Sequence, residues 1–362
     1  MITRRKITGL AWRGGVCLLL LVWIFQAIFY NEGRIAWNHS DAEWQALSRW
    51  ERLQIAWQYG PPELCKTLAS MDSWWLFMSL VLMGLTIFIG VLRWQIVLRV
   101  HGLQLPLART TQISFVAHFF NSFLLGSIGG DVLKAYYVAR ETHHKKTEAV
   151  VTVVVDRLIG LFSMLVFGCL MIIPNYDLLF SNHRLRGVIL TVLVMTAVCG
   201  GFLIVGFWGG VSKRLPRARE WLRRLPRGEA LERSLEAFRH FGRDKTFFWR
   251  IVPITMLQNV VLVAHFYVLT LGFHQQVPVI ALAAIVPVVT SISALPITPS
   301  GLGVRENLYV WMLAVPTVGV PAAQALLLSL VGYAGSLVWS LVGGVIYLTL
   351  KQKQHLTEIT QE

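Results

Sequence analysis

Runs of about twenty mostly apolar residues constrain this chain more than any other feature. Trp74 to Leu92 and Gly187 to Trp208 are two of them. Wound as a helix rising 1.5 Å per residue, each reaches across roughly 30 Å of hydrocarbon. A soluble core has no room for so much apolar surface. Hydrophobic residues make up 55% of the chain and charged residues 14%, where globular domains carry about 25% charged. The fold class this dictates is all-α: a polytopic transmembrane helix bundle, a single integral membrane domain over residues 1–362, with no soluble part large enough to be an enzyme by itself.

Charge then orients the loops. The net charge is +14, but the basic residues collect between apolar blocks, where the positive-inside rule puts them. That favours anionic lipid as a partner and argues against nucleic acid. Arg4, Arg5, Lys6 and Arg13 precede the run 14–30, which lacks a small-residue cleavage site and is expected to be a retained first span. Residues 31–73 follow on the outer side. There Trp37, Trp44, Trp50 and Trp57 recur every six or seven residues, which suits a helix with its indoles at headgroup level or one packed on the bundle. The further spans are 74–92, 149–173, 187–208, 251–272 and 324–350. About six spans result, with both termini cytoplasmic, in a bacterial inner membrane. Residues 213–250 hold twelve Lys/Arg against five Asp/Glu, with Leu231, Leu235, Phe238 and Phe241 on one helical face. They read as an interfacial amphipathic helix on the cytoplasmic leaflet, the alternative being a solvated cluster of topology signals.

Two segments do not read as plain spans. Residues 110–131 are apolar but broken by Asn121, Ser122, Gly126 and Ser127 before Gly129-Gly130-Asp131, and both flanks are basic. If both flanks are cytoplasmic, the segment enters and returns on one side, which non-helical backbone tolerates only when it is buried in protein or lines a wet cavity. Residues 279–318 contain Pro296, Pro299, Gly301 and Gly303 within eight positions, a string that cannot continue a helix. The topology brings this second segment in from the opposite face. Paired, interrupted segments in the two halves of a chain point to a transporter binding site, as in an inverted repeat. Charges inside apolar blocks are the companion signal, because burying one costs at least about 2.5 kcal/mol and demands a partner. Asp156 and Arg157 interrupt the block 149–173, so Asp156 is expected to pair with Lys134 or Arg140, and Asp131 with Arg157. Asp131 as a helix cap and Arg157 as a snorkelling cation are the plain structural alternatives.

The strings Gly129-Gly130-Asp131-Val132-Leu133-Lys134-Ala135-Tyr136, Val155-Asp156-Arg157-Leu158-Ile159-Gly160-Leu161 and Pro299-Ser300-Gly301-Leu302-Gly303-Val304-Arg305-Glu306 resemble the lysylphosphatidylglycerol synthase transmembrane, or flippase-like, family. The likeness runs from about Arg93 to Leu350. The resemblance implies a lipid translocase fold with re-entrant helices around a central cavity, acting on lipids with charged or glycosylated headgroups. Two departures stand out. The bifunctional members continue into a soluble aminoacyl-transferring domain while this sequence runs to Glu362, so lipid aminoacylation is not expected, and Lys134 stands where the family pattern often has arginine, a point charge in place of a bidentate fork.

The leading expectation is therefore a carrier rather than an enzyme. Lys134, Arg140, Arg157 and Arg305 would engage an anionic or glycosylated headgroup, and Asp131, Asp156 and Glu306 would hold those cations in place. Tyr136 and Asn121 complete the candidate lining, although Asn121, like His118, Asn259 and His265, also suits interhelical hydrogen bonding. Gly129, Gly130, Pro296, Pro299, Gly301 and Gly303 would form the re-entrant turns. A membrane-embedded transferase acting on a lipid-linked substrate competes, with Asp131, Asp156 or Glu306 as base, but no phosphate loop or metal cluster accompanies them. A non-transporting subunit that docks a cytoplasmic partner enzyme through 213–250 is the third reading, and homo-oligomerisation stays open. Cys17, Cys65, Cys169 and Cys199 show no metal or redox spacing, so neither a metal nor another cofactor is expected.

Overall fold

The computed structural model describes residues 41–123, 129–142, 146–180, 183–208, 228–295, 301–315 and 318–361, with Thr298 and isolated positions between 22 and 37. All regular structure among these is helical. Five of the helices are long and apolar enough to cross a membrane: Ser73–Val100, Lys146–Asn175, Leu185–Phe207, Thr246–Gly272 and Ala322–Thr349. The protein is an all-α polytopic helix bundle. Most of the expected first span 14–30, residues 213–227 of the basic segment, and Pro296 and Pro299 of the second turn lie outside the described residues.

Of the helix boundaries that differ from the sequence reading, two bear on buried or capping charges. The helix expected to stop at Leu92 runs to Val100, so Arg93 is an interior residue of it; a charge that finds a buried partner has no need to end the helix. At the other end, the helix expected from 251 begins at Lys245. Its start is set by Asp244, whose carboxylate accepts from the Thr246 hydroxyl at 2.6 Å and from the backbone N–H of Thr246 and Phe247 at 2.9 and 3.3 Å. Those bonds, the Thr246 side chain's foremost, hold the Asp244 carboxyl below its ordinary range. Residues 245–250 thus continue the helix of the expected span. The amphipathic helix Gly228–Arg243 is present, and the two phenylalanines of its apolar face pack on protein. Phe238 and Phe241 are buried, Phe238 against Phe202 and Phe241 against Phe207 and Phe247.

The chain divides into two compact units whose boundaries fall inside the long helices. One comprises Met1–Met83, Met171–Leu185 and Leu262–Ser336; the other comprises Gly84–Leu170, Arg186–Val261 and Leu337–Glu362. The first unit includes the helix Arg49–Ala69, opened by a capping box in which the Glu51 N–H donates to Ser48 Oγ and the Ser48 N–H to Glu51 Oε2. Hydrogen bonding of the Glu51 carboxylate by Ser48, through its side chain first and its backbone N–H second, holds that carboxyl below its ordinary range. The four tryptophans before and within it divide by role. Trp44 is buried against Tyr30 and Trp37, whereas Trp50 and Trp57 are exposed.

Each unit contains one of the two broken segments, as a hairpin of short helices whose arms pack on each other. In the first unit the arms are Val279–Ser293 and Val304–Leu313; in the second they are Leu107–Phe123 and Gly129–Glu141. At 1.5 Å per residue, even the longest arm reaches only about 25 Å, short of the roughly 30 Å needed to cross. The arm Val279–Ser293 is buried almost all round, as a helix inside a bundle must be if it carries no polar face. Its turn passes through Gly301 and Gly303 at φ 71° and 85°, a left-handed backbone that suits glycine. The other hairpin depends on close approach: a Cβ at Gly130 would sit 1.8 Å from the carbonyl oxygen of Ala117.

Candidate functional site

The site in the second unit is built where the hairpin tip meets two spans. Gly130 is the second residue of the second arm, and its N–H donates to Asn121 Oδ1 on the first arm at 2.9 Å. Asn121 Nδ2 then donates to Asp131 Oδ1 at 3.3 Å. Asn121 is therefore a clasp between the arms, which also fixes the Asp131 carboxylate. Arg157 grips that carboxylate with both teeth of its fork, Nη2 to Oδ1 at 2.9 Å and Nε to Oδ2 at 2.8 Å.

One turn further along the second arm, Lys134 points into the same space. Its ammonium lies 3.3 Å from Asp156 Oδ2 and 3.8 Å above the Trp94 ring, a cation–π seat. The other oxygen of Asp156 accepts from Arg93 Nε at 2.8 Å. Arg93 in turn donates to Gln258 Oε1 at 2.8 Å, and Gln258 Nε2 to the Thr86 carbonyl at 3.2 Å. Asp156 is 4% exposed, so it is a buried anion balancing two buried cations. Gly160, one turn beyond Asp156, leaves room for the Arg93 guanidinium, which a Cβ there would approach to 2.7 Å.

Both ion pairs expected from sequence are present, with Lys134 rather than Arg140 as the partner of Asp156. Around them lies a cavity of about 220 Å³ lined by Arg93, Lys134, Arg157, Asp131, Asp156 and Gln258 among others. Three cations face two carboxylates, leaving one excess positive charge. Ser114, also in the wall, has a buried hydroxyl without a partner among the described residues. Among the described residues no cluster of His, Cys, Asp or Glu could hold a metal.

The remaining candidates fall elsewhere. Tyr136 and Arg140 lie on the exposed flank of the second arm, away from that lining. Gly129 opens the arm. Arg305 and Glu306 belong to the other unit, where they serve their own hairpin. Arg305 ion-pairs with Glu306, donates to Ser329 Oγ at 3.1 Å, and lies 4.3 Å over the Tyr333 ring. Glu306 reaches back to the Gly303 N–H at 2.6 Å and accepts from Ser329 at 3.3 Å, closing the turn. Sequence reasoning passed over Arg93, Trp94, Gln258 and Gly160. The signal for Arg93 was its place directly after an apolar run, which also describes any cytoplasmic flank.

A family model described as the lysylphosphatidylglycerol synthase TM region matches residues 52–344, a stretch that contains every residue of this cavity. The chain belongs to that family. Two UPF0104 membrane proteins of Methanothermobacter thermautotrophicus are also similar to it. One is 24% identical over 267 residues, 69% of this chain and 78% of the relative. The other is 23% identical over 286 residues, 73% and 80% respectively. Membership in the lysylphosphatidylglycerol synthase TM family fits a multi-pass membrane protein whose buried charges sit among spanning helices.

Proposed function

We propose that this protein is a lipid translocase that carries an anionic or glycosylated headgroup between leaflets through the charged cavity of its second unit. The observation that carries the reading is the excess of cation over carboxylate in a polar cavity of about 220 Å³ among membrane-spanning helices. Buried charge is costly in such surroundings and is retained where it marks a pathway or a site. Asp156 and Asp131 compensate Lys134, Arg93 and Arg157; a headgroup phosphate would compete for the same donors. Lys134 is the candidate contact, because among the described residues its ammonium, with three donors, makes one hydrogen bond. Asn121 and Gln258 orient the ionised groups. Arg305 and Glu306 hold the second hairpin, which would enter from the outer face as the first enters from the cytoplasm, with both termini cytoplasmic in a bacterial inner membrane.

Transferase chemistry is the less favoured reading, since each carboxylate proposed as a base is already engaged. Asp156 and Asp131 are gripped by cations, and Glu306 by Arg305, Ser329 and the Gly303 N–H. The test is reconstitution. Proteoliposomes should flip a labelled anionic lipid faster than protein-free vesicles, and rates that stay at the protein-free level across a panel of phospholipids and glycolipids would reject the carrier.

A further inference from the structure

The polar cavity, at about 220 Å³, is smaller than the roughly 300–1,000 Å³ of ordinary ligand sites. A headgroup fits in it; a whole lipid does not, so the remainder of the molecule must lie elsewhere. In the same unit a second cavity of about 630 Å³ runs between the arm Gly129–Glu141 and the helix Lys146–Ile172. Its wall is nearly all apolar, with Val132, Ala135, Ala139, Val150 and Val154 along it. Ala135 and Ala139, four residues apart on one helix face, leave it hollow. Asp131 lines both this groove and the polar cavity.

The far end of the groove has a different character. Arg140 and Lys146 line it there, about 14 Å along the arm from Asp131 at 1.5 Å per residue. Neither has an ion-pair partner among the described residues, although their neighbour Arg109 is paired with Glu141 at 2.5 Å. The groove is thus polarised: unpaired cations at one end, an apolar trough behind them, and the Asp131–Arg157 pair at the other end. An amphiphile with one anionic group and a chain has that same order.

We propose that this groove is a loading site for one anionic phospholipid, its phosphate between Arg140 and Lys146 and one acyl chain along Val132, Ala135, Ala139, Val150 and Val154. The Asp131–Arg157 pair closes the groove off from the headgroup cavity. Arg157 is the more accessible half, its side chain 54% exposed against 19% for that of Asp131. This assignment rests on the carrier reading for its purpose, as the place where lipid waits before its headgroup enters; the binding itself does not.

The experiment uses the full chain in vesicles of phosphatidylcholine containing either phosphatidylglycerol or further phosphatidylcholine with a photoactivatable group in the acyl chain. Cross-linked peptides are identified by mass spectrometry, and flip-flop is measured in the same vesicles. Phosphatidylglycerol should label residues 129–141 and 146–156 several-fold more than phosphatidylcholine does. Arg140→Gln with Lys146→Gln should bring the two lipids to equal labelling. Ala135→Leu with Ala139→Leu should remove groove labelling by both lipids without changing labelling on the helix His183–Trp208, which also reports an intact fold. Equal labelling of the wild-type groove by both lipids, the pattern of ordinary surrounding lipid, would overturn the site, as would persistence of labelling in the leucine variant. Selective labelling without any acceleration of flip-flop would retain the loading site and remove the carrier reading instead.

Discussion

Asp156 shows how a single buried carboxylate organises a site. Its two oxygens are divided between Arg93 and Lys134, so its removal leaves two cations uncompensated where water is scarce. Breaking a buried pair by deleting one partner costs about 3–5 kcal/mol. Asp156→Asn, which keeps the shape and loses the charge, should therefore lower the melting temperature in detergent well below wild type and abolish flip-flop. Arg93→Met in the same background should restore part of the lost stability, because one unpaired charge disappears with it; a double-mutant cycle should report a coupling of about 0.5–3 kcal/mol. Additive losses would mean that the two residues do not act as a pair. Arg305 is a different case. Its partners are Glu306, Ser329 and Tyr333 of its own unit, so Arg305→Ala should appear first as lost stability, with Glu306 left as an uncompensated buried anion.

Among the elements, the hairpins set what the residues can reach. The arms Leu107–Phe123 and Gly129–Glu141 come close enough that a Cβ at Gly130 would lie 1.8 Å from the Ala117 carbonyl oxygen. Gly130→Ala must separate the arms, break the Asn121 clasp and displace Asp131, so a fall in melting temperature with loss of transport is expected. Gly187→Ala is the matching control: a Cβ there meets nothing within 4 Å, and replacing a helical glycine gains about 0.5–1 kcal/mol. Equal behaviour of the two variants in thermal unfolding would refute the close-approach argument. At the capping box, Glu51 has a folded pKa lowered from an ordinary 4.5. Its contribution is complete above that value and is lost as pH falls through the depressed folded pKa. Hydrogen exchange at residues 49–53 should quicken in that acid window, and Ser48→Ala should remove most of this dependence. Much of this level was legible beforehand, because Gly129-Gly130-Asp131 and the Pro-Gly string announce breaks that no span tolerates, and Asp156-Arg157 announces partners. What escaped were contacts with no local signature. Arg93 reads as a flank because hydropathy cannot distinguish a charge that ends a helix from one buried inside it. Arg305 and Glu306, adjacent in a helix, are not expected to face each other; they meet because Glu306 turns back to cap Gly303.

For the whole molecule the carrier proposal turns on the balance of charge inside the second unit, since any attraction of anionic lipid to the surface of a chain of net charge +14 would not by itself move a headgroup. Arg93, Lys134 and Arg157 against Asp131 and Asp156 leave one positive charge within the cavity. Lys134→Gln cancels it while keeping a hydrogen-bonding side chain over Trp94. Two unit charges 4 Å apart interact by about 4 kcal/mol at an effective dielectric near 20, and about 1.4 kcal/mol is tenfold in rate. Flip-flop of phosphatidylglycerol should thus fall at least about tenfold in Lys134→Gln, whereas a zwitterionic lipid of the same chains, which the cavity never favoured, should move at its former rate. Lys134→Arg should keep most of the preference, because the charge is preserved even though the planar guanidinium sits differently on the indole. If the glutamine variant still prefers phosphatidylglycerol, selection takes place at the surface cations and the cavity is not the filter.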